Sequence, residues 1–277
     1  MYRSIALPLV ANSRRAALST RQSPSSTLLS ISNTHVFDPR FIGLTGDQYI
    51  PISWKNFPNP LTSPKLAYNC LARRLYNFGF NTIQVAFLRY QTGLKPKFLL
   101  WKNNSIERYV QVNKAFAHNK IPAVHKGMSV WVERALTSRV ETIPKNIKLD
   151  WKLVKFNETP KLVTFRPVML PGKPVEYVQV VYKFNTNQEL IKVNLDNEKV
   201  SKISRNVVDY VGFTVDLHTN EAILSGSAFE NSPYDKIPKP EDAKQSQIFE
   251  MMRNNGDIFR LPPKSQPSNS TITSKED

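Results

Sequence analysis

The chain has 277 residues, 40% of them hydrophobic, enough for one sizeable core with tails. Its single cysteine, Cys70, excludes an intramolecular disulfide and a cysteine metal site, and its place on a predicted apolar helix face marks it as an inert buried thiol. A formal net charge of +16 points to an anionic partner, and no run of 18 apolar residues reads as a membrane-spanning helix, so any membrane association is expected to be peripheral.

Residues 1–30 read as a mitochondrial presequence. No acidic residue precedes Asp38, and Arg3, Arg14, Arg15 and Arg21 are spread through Ser, Ala and Leu. The apolar run Ile5–Ala11 is short for a secretory signal and is followed by two arginines. Removal is expected between Ala16 and Ser30; the alternative is a plain disordered tail. Residues 31–60 form an extended arm, because Pro39, Pro51, Pro58 and Pro60 forbid a long helix. Phe41, Ile42, Tyr49, Ile50, Trp54 and Phe57 are too many for a free linker, so the arm is expected to lie on the domain or on a partner.

The domain proper spans residues 61–230. Its opening stretch, Leu61–Lys102, contains no acidic residue. Ser63 is placed to cap a helix begun by Pro64. Ala67, Leu71 and Leu75, with Leu66 and Cys70, make an inward stripe. Gly79 and Gly93 are natural stops for two consecutive helices. The second carries Phe80, Ile83 and Phe87 on one face, widened by Val85 and Leu88. The aromatic residues Tyr76, Phe78, Phe80, Phe87 and Tyr90, at helical spacing, read as core rather than as a base-stacking platform. A third helix, Lys97–Asn119, has Leu99, Ile106, Val110, Asn113 and Ala117 near one face. A fourth, about Ala123–Thr142, turns Met128, Trp131, Val132 and Ala135 inward.

The period then becomes two. Six strands are predicted: Leu149–Leu153, Lys161–Met169, Glu176–Phe184, Glu189–Leu195, Val207–Leu217 and Glu221–Phe229. Turns are expected at Pro171-Gly172, Asn185–Gln188, Asp196–Lys199 and His218–Asn220. Short turns between successive strands imply an antiparallel sheet. Helices first and strands afterwards imply an α+β fold, with the N-terminal helices packed on one face of the sheet. Residues 231–263 form a proline-rich extension with a short helix, about Glu241–Asn254. Residues 264–277 are Ser/Thr-rich and expected to be disordered.

The charge is unevenly spread. Leu61–Asn146 holds 14 basic and 3 acidic residues, whereas Ile147 onward holds 18 basic and 17 acidic. A solvated face normally mixes signs, so the concentration marks the helical half as an anion-binding face. Its candidate contact residues, for an anionic surface, are Arg73, Arg74, Arg89, Lys95, Lys97, Lys102, Arg108 and Lys114.

Other chemistry is thinly represented. The pair Gly43 and Gly46 cannot build a phosphate-cradling loop. His118 and His125 flank Pro122 and lack a carboxylate at metal-ligand spacing, so both read as solvated or capping. A helix-on-sheet fold often encloses a cone-shaped pocket, in which Asp209 with Tyr210, or Asp150, would supply acid–base chemistry. Alternation places those acids in solvent equally well. No catalytic, cofactor or metal residue is assigned.

The segments RRLYNFGFNTIQVAFLRYQTGLKPKFLLWKN (Arg73–Asn103), DWKLVKFNETPK (Asp150–Lys161), VDYVGFTVD (Val208–Asp216) and NGDIFRLPP (Asn255–Pro263) resemble, in order, the Mba-type family of mitochondrial inner-membrane ribosome receptors. The resemblance covers about His35 to Pro263 and fades at both ends. It implies a peripheral protein on the matrix face of the inner membrane. Such a protein would dock the large mitoribosomal subunit, through ribosomal RNA and tunnel-exit proteins, so that the tunnel exit faces the membrane insertase. It further implies contact with anionic inner-membrane lipid, no small-molecule substrate, and no enzymatic activity. The implied fold is cystatin-like or NTF2-like, with a curved sheet, similar to a membrane-facing large-subunit ribosomal protein and to the C-terminal domain of the import-motor tether. The rival readings are a permanent structural protein of the large mitoribosomal subunit and an enzyme using the cone pocket.

Overall fold

A computed structural model describes residues 37–45, 48–170, 172–196, 199–238 and 245–262. The presequence reading, the expected disorder of residues 264–277, and parts of the predicted turns at Pro171 and after Asp196 lie outside these residues. Among the described residues there are four α-helices: α1 (Pro64–Thr92), α2 (Phe98–Ala117), α3 (Val130–Glu141) and α4 (Gln245–Gly256). Four strands, β1 (Ile147–Val168), β2 (Tyr177–Asn194), β3 (Lys199–Asp216) and β4 (Ala222–Ala228), form one antiparallel sheet in sequence order. The fold is α+β.

Both faces of the sheet are apolar where it is widest. On one face Phe165 of β1, Val178, Val180, Tyr182 and Phe184 of β2, Val211, Phe213 and Val215 of β3, and Leu224 of β4 make the main core. Helices α1 to α3 cover it with Leu88, Trp101, Tyr109, Val112, Val132 and Leu136. On the other face Val181 and Tyr210 meet Leu44 and Ile50 of the arm. The arm therefore lies on its own domain. Its buried Gln48 donates to Gln179 (2.7 Å) and accepts from Thr164 (2.6 Å), so the polar groups enclosed there are mutually satisfied.

Leu44 fixes the arm in place. Gly212 and Gly226 are cross-strand partners in β3 and β4, and a Cβ on Gly212 would stand 2.6 Å from Leu44 Cδ1. A Cβ on Gly226 would meet the Asn255 carbonyl oxygen at 2.5 Å, and its φ of +151° is itself one that glycine tolerates best. Leu44 N–H donates to the Ser225 carbonyl, and the Asn255 side chain donates to the Leu44 carbonyl (2.8 Å). Farther along the arm, Glu230 accepts from Ser53 N–H, the Asn56 side chain and the Tyr210 hydroxyl.

Several sequence expectations change. Gly79 does not end a helix: α1 runs unbroken from Pro64 to Thr92, and it is Gly93, at φ +68°, that terminates it. Nothing lies within 4 Å of a Cβ built on Gly79, so this glycine costs about 1 kcal/mol of helix propensity and no packing. Ser63 occupies the N-cap position without a side-chain cap bond. The fourth helix begins at Val130, capped by Ser129, after a 3-10 segment from Ile121 to Gly127. The six predicted strands merge into four. Asn185–Gln188 is no turn but the continuation of β2, paired with Arg205–Val208. β1 bridges its two predicted strands through register shifts at Leu153/Lys155, Phe156/Glu158, Glu158/Lys161 and Leu162/Thr164, irregularities that bend a strand without ending it. The C-terminal helix is Gln245–Gly256, the start of its predicted range lying outside the described residues.

Because Leu44 is fully buried, Leu44→Ala is expected to cost roughly 2–5 kcal/mol in urea unfolding. Gly212→Val is expected to act through the same contact, expelling Leu44. Both variants should become susceptible to limited proteolysis within residues 37–60 while the main core persists.

Candidate functional site

The described residues offer two places to look for function: the basic corner where α1 turns into α2, and a cavity between α2 and the sheet. At the corner, Gly93 in the left-handed conformation donates its N–H to the Arg89 carbonyl and closes α1. Lys95 and Lys97 flank Pro96 in the connection, and α2 starts at Phe98. Arg89, Lys95 and Lys97 are exposed and Lys102 is half-buried. Lys114 lies exposed in the last turn of α2, about 18 Å farther along the axis at 1.5 Å per residue. None of these five makes an ion pair among the described residues.

The other three candidates are engaged inside the fold. Arg73 donates to the Pro233 carbonyl (2.7 Å) and Arg74 to the Ile52 carbonyl (3.2 Å), with the Arg74 guanidinium 4.2 Å from the Trp54 ring centre. Arg108 donates to the Ala222 carbonyl and to Gln111, and its side chain fills the space beside Gly127. These arginines fasten the arm, the C-terminal extension and β4 to the helices. The three acidic residues of the helical half are partly spoken for as well, Glu133 by Arg40 and Glu107 by Gln111.

The expectation that α1 turns its apolar stripes inward holds only in part, with Leu66, Phe80, Val85 and Phe87 half-buried. Its inward residues are Ala67, Cys70, Asn77 and Leu88, whereas Leu71, Leu75, Tyr76, Phe78, Ile83 and Tyr90 are exposed. Small and amide side chains face the sheet because α1 crosses close to β1: Asn77 and Asn81 both donate to the Val163 carbonyl, and Asn81 accepts from Phe165 N–H. The signal was available in Leu75–Leu88, fourteen residues without a charge, too apolar for a helix with one solvated face. In α2 likewise, Trp101, Tyr109 and Val112 are buried while Leu99 is exposed.

The cavity has a volume of about 480 Å³ and is lined by Tyr109, Trp151, Gln188, Ile203, Asp209 and Phe259, among others. Asp209 does not pair with Tyr210, which points to the arm side and donates to Glu230 (2.6 Å). Its partner is Tyr109, whose hydroxyl donates to Asp209 Oδ2 (2.6 Å) and accepts from Gln188 Nε2 (2.8 Å). Burial pushes the Asp209 carboxyl above the usual carboxylate range, an effect partly offset by Tyr109 and Gln188. Burial, and then the Asp209 charge, push the Tyr109 phenol well up. The missed clue is that Asp209 shares its strand face with Val211, Phe213 and Val215. Asp150 is half-exposed beside His118 (3.3 Å) and Lys152 (3.7 Å), and His125 bonds the Pro122 carbonyl. Among the described residues no group of three His, Cys, Asp or Glu side chains is placed to hold a metal.

The raised Asp209 carboxyl fixes a pH dependence. Between its unfolded value near 3.9 and its higher folded value, the native state holds the proton more tightly than the unfolded chain. This contribution is fully present below the unfolded value and is lost as pH rises through the folded one. Asp209→Asn, nearly isosteric and able to accept from Tyr109, is expected to flatten that loss. Urea unfolding of both proteins from pH 4 to pH 8 should show the variant gaining on the parent as pH increases.

The chain was compared with known proteins. The family model described as "MBA1-like protein" matches residues 30–264. The protein named "Inner membrane mitoribosome receptor MBA1, mitochondrial" of Saccharomyces cerevisiae (strain ATCC 204508 / S288c) is 48% identical over 227 residues, covering 82% of this chain and 82% of that one. Among solved structures, the intermembrane space region of the chloroplast protein ARC6 overlaps with a TM-score of 0.33 at 12% identity, over 46% of this chain and 92% of that one. That overlap is too low to bear on the fold.

Proposed function

Since the chain belongs to the MBA1-like family, we propose that it is an inner-membrane mitoribosome receptor, held peripherally on the matrix side. It aligns the tunnel exit of the large subunit with the insertase for co-translational membrane insertion, and it has no enzymatic step. Its relationship to the yeast receptor carries this reading. The basic corner supports it physically: Arg89, Lys95, Lys97, Lys102 and Lys114 present charge that no acidic side chain among the described residues neutralises, as phosphate recognition requires. Anionic lipid is the second partner of the proposal. Among the described residues no helix is long and apolar enough to cross a membrane, which is consistent with peripheral attachment. We further assign the helices-on-sheet arrangement to the cystatin-like or NTF2-like class, on the bulged β1 and the half-open cavity beneath α2.

Binding to purified large subunits should weaken steeply with salt, because each neutralised phosphate releases counterions. Reversing Lys95, Lys97 and Lys102 to Glu is expected to lower the logarithmic salt slope by roughly 0.7–0.9 per lost contact, with an unchanged circular dichroism spectrum. Lys148, Lys152 and Lys155 reversed together on β1 serve as the control and should have a smaller effect. Equal losses from the two triple variants would remove the basic corner from the ribosome contact.

Alkaline carbonate is expected to release the protein from membranes, and membranes stripped of ribosomes by high salt and chelation should retain it. Departure with the ribosomes would favour a permanent ribosomal protein over a receptor.

A further inference from the structure

The outward face of α1 has no occupant among the described residues. At 100° per residue, Tyr68, Leu71, Leu75, Phe78, Ile83 and Tyr90 fall within an arc of about 140°, with Ala72, Gly79, Thr82 and Ala86 between them. Phe78 is 73% exposed, Ile83 65% and Tyr90 91%. At 1.5 Å per residue α1 is about 43 Å long, and the stripe runs along most of it. Helices are normally apolar on the side that packs, and here the packed side holds Asn77 and Asn81 while the open side is the greasier one.

We propose that this face is the surface by which the protein lies on an anionic bilayer, with the stripe sunk into the headgroup–acyl boundary. The inference deepens the receptor reading and rests on it for the membrane's identity. Three observations choose lipid over a protein partner. The stripe is convex and wider than the narrow seam of a helix pair, so it suits a flat, deformable surface. Tyrosines stand at its margins and ends (Tyr68, Tyr76, Tyr90), as side chains with an apolar body and a polar tip do at a membrane interface. Exposed cations bracket it, Lys65 at the start and Arg89, Lys95 and Lys97 at the end, and no acidic residue occurs from Leu61 to Lys102. A neutral protein helix needs no such frame, whereas anionic headgroups on either side of a sunken apolar stripe match it. Leu99 and Leu100 in the first turn of α2 are exposed as well.

The test uses the full chain and the variant Leu75→Ser/Phe78→Ser/Ile83→Ser, whose changes touch only exposed positions. Both are floated with phosphatidylcholine vesicles with and without cardiolipin, and both are sedimented with large ribosomal subunits. The parent is expected to float with cardiolipin vesicles, and the variant to lose roughly tenfold or more in partitioning, with ribosome binding and circular dichroism unchanged. Equal flotation of the two proteins overturns the proposal. So does a variant that floats normally but no longer sediments with ribosomes, which would make the stripe a ribosome contact. So does flotation that appears only after residues 1–37 are removed, which would make that segment the occupant. A parent that floats but ignores ribosomes would defeat the receptor reading and leave the lipid face standing. As a second readout, a fluorescent nitrobenzoxadiazole label on Phe78→Cys in a Cys70→Ser background should shift to the blue on cardiolipin vesicles and be quenched by brominated acyl chains. A label that stays in water overturns the proposal even if flotation is seen.

Discussion

Much in this molecule depends on a sheet that is apolar on both sides, the main core of which α1 to α3 cover on one side only. The second side is closed by chain that is not a regular element: Leu44 over Gly212 and Gly226, Ile50 over Val181 and Tyr210, and Gln48 among Thr164 and Gln179. A closed hydrogen-bonded pair of amides and a threonine does there what a second helical layer would otherwise do, leaving no enclosed polar group of that cluster without a partner. The glycines are as necessary as the leucine, because backbone and arm approach within a distance that no Cβ allows.

This arrangement explains the division of labour among the cations. Charge is concentrated in the helical half, but a guanidinium also serves to hold backbone carbonyls. Arg73, Arg74 and Arg108 do so at the arm, the C-terminal extension and β4, while the lysines of the corner stay in solvent. Three of the four candidate arginines thus hold backbone carbonyls while Arg89 stays exposed with the lysines, a division that a count of charges cannot register.

The fold class, the order of helices and strands, the antiparallel pairing and the C-terminal helix were legible in periodicity. The element boundaries were less so, for reasons visible in particular residues. Gly79 reads as a stop, yet it lies on the open side of α1 where a missing side chain costs only propensity. Asn185–Gln188 reads as a turn from its polar residues, yet Thr186 is fully buried within the sheet, Asn185 is bonded to Asn157 and Glu158, and Gln188 donates to Tyr109. The inward side of α1 was only partly legible: Ala67, Cys70 and Leu88 are buried as their spacing implies, whereas Leu71, Leu75 and Ile83 face outward, because hydrophobicity alone does not say how far an apolar surface wraps into solvent. The Tyr109–Asp209 pair needed tertiary structure, since its members stand 100 residues apart.

The place of Asn255 has a consequence for when the chain can become itself. Its side chain holds the Leu44 carbonyl across 211 residues, its own carbonyl abuts Gly226, and Asp257 two residues later grips Arg139 through two bonds of 2.6 Å. The earliest-made of the described residues therefore have partners among the latest-made. Closing so long a loop comes late in folding, and the second side of the sheet stays open until it happens. A chain threaded through a membrane amino end first would emerge with its arm unattached, greasy and available to chaperones. It would acquire its final form only after the segment around residue 255 had come through.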